Sequence, residues 1–167
     1  MRKHIGWLLL LAAVGAAAAM MPFQSSDVAQ LVPIEALVIS MDQGQVVVAG
    51  GGCQGRGDTW DEAWRDFQES GSGTVFLGTA EQVILAGGAV KLLPEVAWNE
   101  QLRLAANICV TPGKAPDPEE AAAYLSAHNG GVRLQQVRAA LLQDRAIDLP
   151  VLVETKGGLR LYGTEYR

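Results

Sequence analysis

Most of the residue types that carry chemistry are scarce in this sequence. Two cysteines, two histidines, four Trp, three Tyr and three Phe are spread over 167 residues. Cys53, Cys109 and His128 lie too far apart in sequence for the short ligand spacings of a metal centre, so no metal ligands are assigned. No Gly-x-Ser-x-Gly elbow is present to present a serine nucleophile. Asp117, Glu119 and Glu120 fall together, but they occupy the expected first turn of a helix, where the helix dipole already accounts for acids. Basic clusters are missing as well. Thirteen Lys and Arg stand against 18 Asp and Glu, and without Arg2 and Lys3 the balance is 11 against 18, a net charge of -7. That balance points away from nucleic acid and polyphosphate partners. Internal repeats are absent, and 19% charged with 49% hydrophobic residues argues against disorder. The length suits one domain of ordinary size.

What is present begins with a leader. Met1-Arg2-Lys3-His4 is basic, Ile5 to Phe23 is apolar, and Ala17-x-Ala19 offers a cleavage site. These are the three parts of a secretory signal peptide. The same 19 apolar residues would span about 28 Å as a helix, close to the ~30 Å of a hydrocarbon core, so an uncleaved membrane anchor uses the same residues. Either way the chain is expected outside the cytoplasm, in the cell envelope, and a retained leader would hold it to the membrane. Residues 1–23 are thus a signal peptide or anchor, 24–31 a polar tether, and 32–167 the domain. In an oxidising compartment Cys53 and Cys109 could bridge, or Cys53 could be a free loop thiol with Cys109 a buried small hydrophobe.

Along the domain, Ile34 to Ser40 and Gln45 to Ala49 read as a hairpin around the Asp42-Gln43-Gly44 turn. Gly50 to Gly57 has five glycines among eight residues and reads as a mobile surface loop. It sits between a strand and a helix, where phosphate loops occur, but lacks the Lys-Ser/Thr ending, so no cofactor is assigned. Thr59 and Glu62 form a capping box, and Trp60, Ala63, Trp64 and Phe67 lay an apolar stripe on the helix that follows. The Trp60/Trp64 pair reads as core in preference to a sugar-stacking platform. Further strands are expected at 74–77, 82–86 and 102–110. Helices are expected at 89–93, 94–101, 119–127, capped by Asp117 with Pro118 first, and 132–144. A terminal hairpin closes the chain around Lys156-Gly157-Gly158. The helix over 132–144 is expected to bury Leu134, Val137, Leu141 and Leu142. The expected core also includes Trp64, Phe67, Val83, Ile84, Leu104 and Val153. Interleaved elements with hairpins at both ends make an α+β or mixed α/β fold, a mixed sheet with helices packed on it.

The order of these segments resembles the N-terminal domain of the Ger(x)C family, the C subunits of spore germinant receptors. The resemblance rests on Ala36-Leu37-Val38-Ile39-Ser40-Met41-Asp42, on Gly57-Asp58-Thr59-Trp60-Asp61-Glu62-Ala63 and on Gln82-Val83-Ile84-Leu85-Ala86-Gly87. It continues through Thr111-Pro112-Gly113-Lys114-Ala115, Pro150-Val151 and Leu159-Arg160-Leu161-Tyr162-Gly163, covering roughly residues 32–167. The sequence lacks that family's lipid-modified cysteine after the leader and its two later domains. The resemblance implies a related fold, a sporulation or germination setting and membrane-associated protein partners, and it transfers no catalytic residues. The expectation is an exported noncatalytic domain, not an enzyme; the alternatives are a small secreted hydrolase with His128 as base and an envelope ligand-binding module.

Overall fold

The computed structural model describes residues 31–128 and 131–166. The expected leader, residues 24–30 of the expected tether, and residues 129 and 130 lie outside them. The fold is α+β: a mixed sheet with helices packed around it.

The strands are β1 (Leu31–Pro33), β2 (Ala36–Asp42), β3 (Gln45–Gly50), β4 (Cys53–Gly57), β5 (Thr74–Phe76), β6 (Gln82–Ala86), β7 (Asn107–Thr111), β8 (Val132–Arg133), β9 (Leu149–Thr155) and β10 (Gly158–Tyr166). The helices are α1 (Trp60–Glu69), α2 (Leu93–Trp98), α3 (Pro118–Ala127) and α4 (Leu134–Leu142), with 3₁₀ turns at Leu77–Thr79 and Gly87–Leu92. The main sheet runs β10-β9-β7-β6-β2-β3-β4, and β8 pairs with β7 beside it. β2, β6, β7 and β9 are mutually parallel, whereas β3, β4 and β10 join as antiparallel hairpin partners. A separate two-stranded parallel sheet pairs β1 with β5. Apolar runs such as Leu37-Val38-Ile39 and Val83-Ile84-Leu85 follow from this arrangement, because the parallel strands are covered on both faces.

The two faces hold separate cores. Leu37, Ile39, Val83, Leu85, Ile108 and Val110 point to one side and pack with Trp64 and Phe67 of α1, Val96 of α2 and Val137 of α4. Ala36, Val38, Ile84, Cys109 and Leu152 point to the other, under Ala121, Ala122 and Leu125 of α3. The expected stripe of Trp60, Ala63, Trp64 and Phe67 is buried, and Thr59 Oγ1 accepts the Glu62 amide at 3.3 Å. Glu62 reaches back one residue further than a standard box, accepting the Asp58 N–H at 3.0 Å. Asp117 caps α3 by accepting from Glu119 and Glu120, each at 3.0 Å.

Four expectations need correction. The glycine-rich stretch is not a loop: Gly51 and Gly52 turn the chain with φ of +57° and +74°, and Cys53–Gly57 is the edge strand β4. Its alternation puts Gly55 and Gly57 under α1, where a Cβ would run into the backbone at Phe67 and Ala63. The glycines serve close helix-to-strand contact. The strand expected from residue 102 begins at Asn107, because turns occupy the residues before it, and this leaves Leu104 at the surface. The helix expected from residue 132 begins at Leu134, since Val132 and Arg133 pair with β7. At its far end Leu142 is exposed, while Leu141 and Val153 are only half-buried.

One N–H at each outer strand is answered by a side chain. The Arg56 N–H of β4 donates to Asp66 Oδ2 at 2.7 Å, and the Leu161 N–H of β10 donates to the Tyr124 hydroxyl at 3.0 Å.

Candidate functional site

The structure keeps the sequence-level candidates apart. Cys53 and Cys109 are both buried and free, and they belong to the cores on opposite faces of the sheet, so the bridge is not formed. Cys53 is a strand residue, not a loop thiol. Burial pushes the Cys109 thiol from its ordinary 9.0 up to about 12, which holds it in the unreactive protonated form. His128 is the residue that ends α3. Its Nδ1 lies 2.8 Å from the Tyr124 carbonyl, and its ring stacks on Tyr124 with centroids 4.2 Å apart. A carbonyl only accepts, so Nδ1 carries the proton in that contact. The small recess beside His128 is lined by Gln82, Asn107 and Cys109 along with apolar residues, with no carboxylate among them. Asp117 is occupied by its cap, and Trp60 and Trp64 stack on each other at 5.0 Å within the core.

Two surface regions were not evident from sequence. The first surrounds the seam of α2 and α4. Trp98 ends α2 at 47% exposure, Leu142 ends α4 at 74%, and Leu104 in the intervening turn is 48% exposed. Arg138 of α4 ties the region together. Its guanidinium sits 5.8 Å from the Trp98 ring centre, with Nε donating to the Ala97 carbonyl and Nη2 to the Asn99 carbonyl, the latter at 2.8 Å. The Leu104 carbonyl accepts from the Gln135 N–H of α4 at 3.0 Å. Gln135, Arg138 and Leu142 share one helical stripe by their spacing, so Leu142 and the Trp98 met by Arg138 lie along one side of α4, with the Leu104 backbone at its start. Spacing had suggested that Leu142 was core; only the position of α2 reveals that the outer stripe carries it.

The second region is a trough of about 410 Å³ at the carboxyl ends of β2, β6 and β7. Its walls include Ser40, Asp42, Arg56 and Lys114. No sequence motif marks it, because its residues come from four strands and two loops.

No protein-family model, curated protein or solved structure matches this chain.

Proposed function

We propose that this chain is an exported, noncatalytic envelope protein that works by binding a membrane-associated protein partner. The leader supports export, and the Ger(x)C resemblance supports a sporulation or germination setting. The observation that carries the binding role is the Trp98–Leu104–Leu142 surface around Arg138. Trp and Arg are the residue types that dominate binding energy at protein interfaces, provided they are held in place and then desolvated. Arg138 is held here by two backbone carbonyls, so little side-chain freedom remains to be lost when a partner covers it. Leu142 extends the same surface with an apolar side chain that has no buried role in the fold.

The test places a photo-crosslinking amino acid at position 142 of the full chain in its native cells, with position 156, an exposed hairpin-turn residue, as control. The expected result is one discrete adduct with a membrane protein from position 142 only. Trp98→Ala should reduce that adduct by at least about tenfold, as expected for a residue worth roughly 2 kcal/mol at an interface. An identical adduct pattern from both positions, or one indifferent to Trp98→Ala, would overturn the reading. Export is checked separately by fusing residues 1–30 to a reporter that is active only outside the cytoplasm; an inactive reporter rejects it.

A further inference from the structure

We propose that the trough at the carboxyl ends of the parallel strands binds a small monocarboxylate with a short hydrocarbon tail. The inference is independent of the partner surface, because the trough opens on the sheet face opposite α2 and α4.

The trough follows from the sheet. Register pairs Ser40 with Val47 and Val47 with Arg56, so these residues form a row across β2, β3 and β4 on the face that carries Val38. Ala86 continues the row at the end of β6, where pairing of Ile39 with Leu85 brings it beside Ser40. Val47, Ser40 and Ala86 are short, so the floor is low. The core of α3 lies over Ala36, Val38 and Ile84, towards the strands' amino ends, and stops short of Ser40 and Arg56, which keep open surface above a buried floor of Val47 and Ala86. Gly113, Lys114 and Ala115, just beyond β7, form the far wall. A volume of about 410 Å³ lies within the usual 300–1,000 Å³ of small-molecule sites. Its position outside the carboxyl ends of parallel strands is also where open sheets of this kind take ligands.

Charge selects the ligand. The chain carries a net -5, yet the trough gathers Arg56 and Lys114 against Asp42 alone. Asp42 Oδ2 holds Arg56 Nη1 at 3.0 Å, and the remaining guanidinium nitrogens have no partner among the described residues. Lys114 is in no ion pair among the described residues. The fork is thus oriented by one carboxylate and offers free donors for a second, the geometry in which arginine grips a carboxylate best. One excess positive charge suits a monoanion, whereas a phosphate dianion would add repulsion from Asp42. Ala115 at the wall and Val47 and Ala86 in the floor give a hydrocarbon tail the apolar contact that a bare inorganic ion could not use.

The test follows backbone amide resonances of the full chain during titration with pentanoate, pentan-1-ol and inorganic phosphate. Pentanoate is expected to shift Ser40, Gln54, Gly87 and Gly113 saturably. Arg56→Gln and Lys114→Gln should each weaken it about tenfold, the scale of one lost charge-assisted contact, while resonances of α4 stay in place and report an intact fold. Absence of a saturable shift, equal affinity for pentan-1-ol, equal or tighter affinity for phosphate, or a double variant within about twofold of the parent would each overturn the proposal.

Discussion

Gly55 and Gly57 determine how closely α1 approaches the sheet. A methyl group at Gly55 would meet the backbone of Phe67 and Ala63, which cannot move without displacing the helix. Gly55→Ala is therefore expected to cost about 3 kcal/mol or to prevent folding, at the upper end for overpacking. Gly52→Ala has open space around its Cβ, and its left-handed φ of +74° alone should cost about 1 kcal/mol. Urea unfolding of the two variants side by side checks the contrast; equal losses would mean that backbone conformation, not helix contact, governs this strand. Composition alone made the same glycines read as a loop, because glycine signals freedom in isolation and close approach only when a helix is known to lie above it. Cys109 gives a second residue-scale test. Above pH 9 the unfolded chain gives up this thiol proton, while the folded chain keeps it until about 12. The unfolded state then binds fewer protons, so stability falls as pH rises through that window, by up to about 1.4 kcal/mol per pH unit. Cys109→Ala should flatten that part of the alkaline slope, measured as urea midpoints between about pH 8.5 and 10.5; an unchanged slope would show that the thiol is not protected.

At the scale of elements, the helices that begin with a cap and present one clear stripe were legible. Phe67 of α1 is fully buried, and Phe67→Ala should cost about 3–5 kcal/mol. Leu104 was expected in the same core, but it sits half-exposed in a turn, so Leu104→Ser should change stability by no more than about 0.5 kcal/mol. Thermal unfolding of both distinguishes the two environments, and a large loss at Leu104 would contradict the turn. The error at Leu104 has a local cause. Leu102 and Leu104, five and three positions before a real strand, extend its pattern, and no proline or glycine separates Leu102 from Asn107. The start of α4 was misplaced for a different reason: Val132 and Arg133 are helix-compatible, and only their pairing with Ile108 and Asn107 holds them extended. The trough and the α2–α4 surface were illegible because each combines residues from elements far apart in sequence. Periodicity reports which side of a helix is apolar; it does not report what lies next to that side.

For the whole molecule, the main sheet ends in two outer strands, β10 and β4. A sheet with open edges is a template, and each new strand added to it creates another edge of the same kind. Tyr124 and Asp66 each occupy one donor that such templating would use. Tyr124→Phe removes the hydroxyl and leaves the Leu161 N–H unanswered, at a cost of about 1 kcal/mol in the single chain. Light scattering at rising concentration should then find larger species than for the parent chain; identical masses would show that the hydroxyl plays no part in guarding the edge. The consequence is largest where copies are crowded, as they would be if the proposed leader held the chain on a membrane. Confinement to a surface raises local concentration and aligns neighbouring copies, the two conditions under which lateral strand addition is fastest. Two side chains borrowed from helices, each spent on a single backbone donor, therefore bear on whether a crowded population of this chain stays dispersed or condenses into fibres.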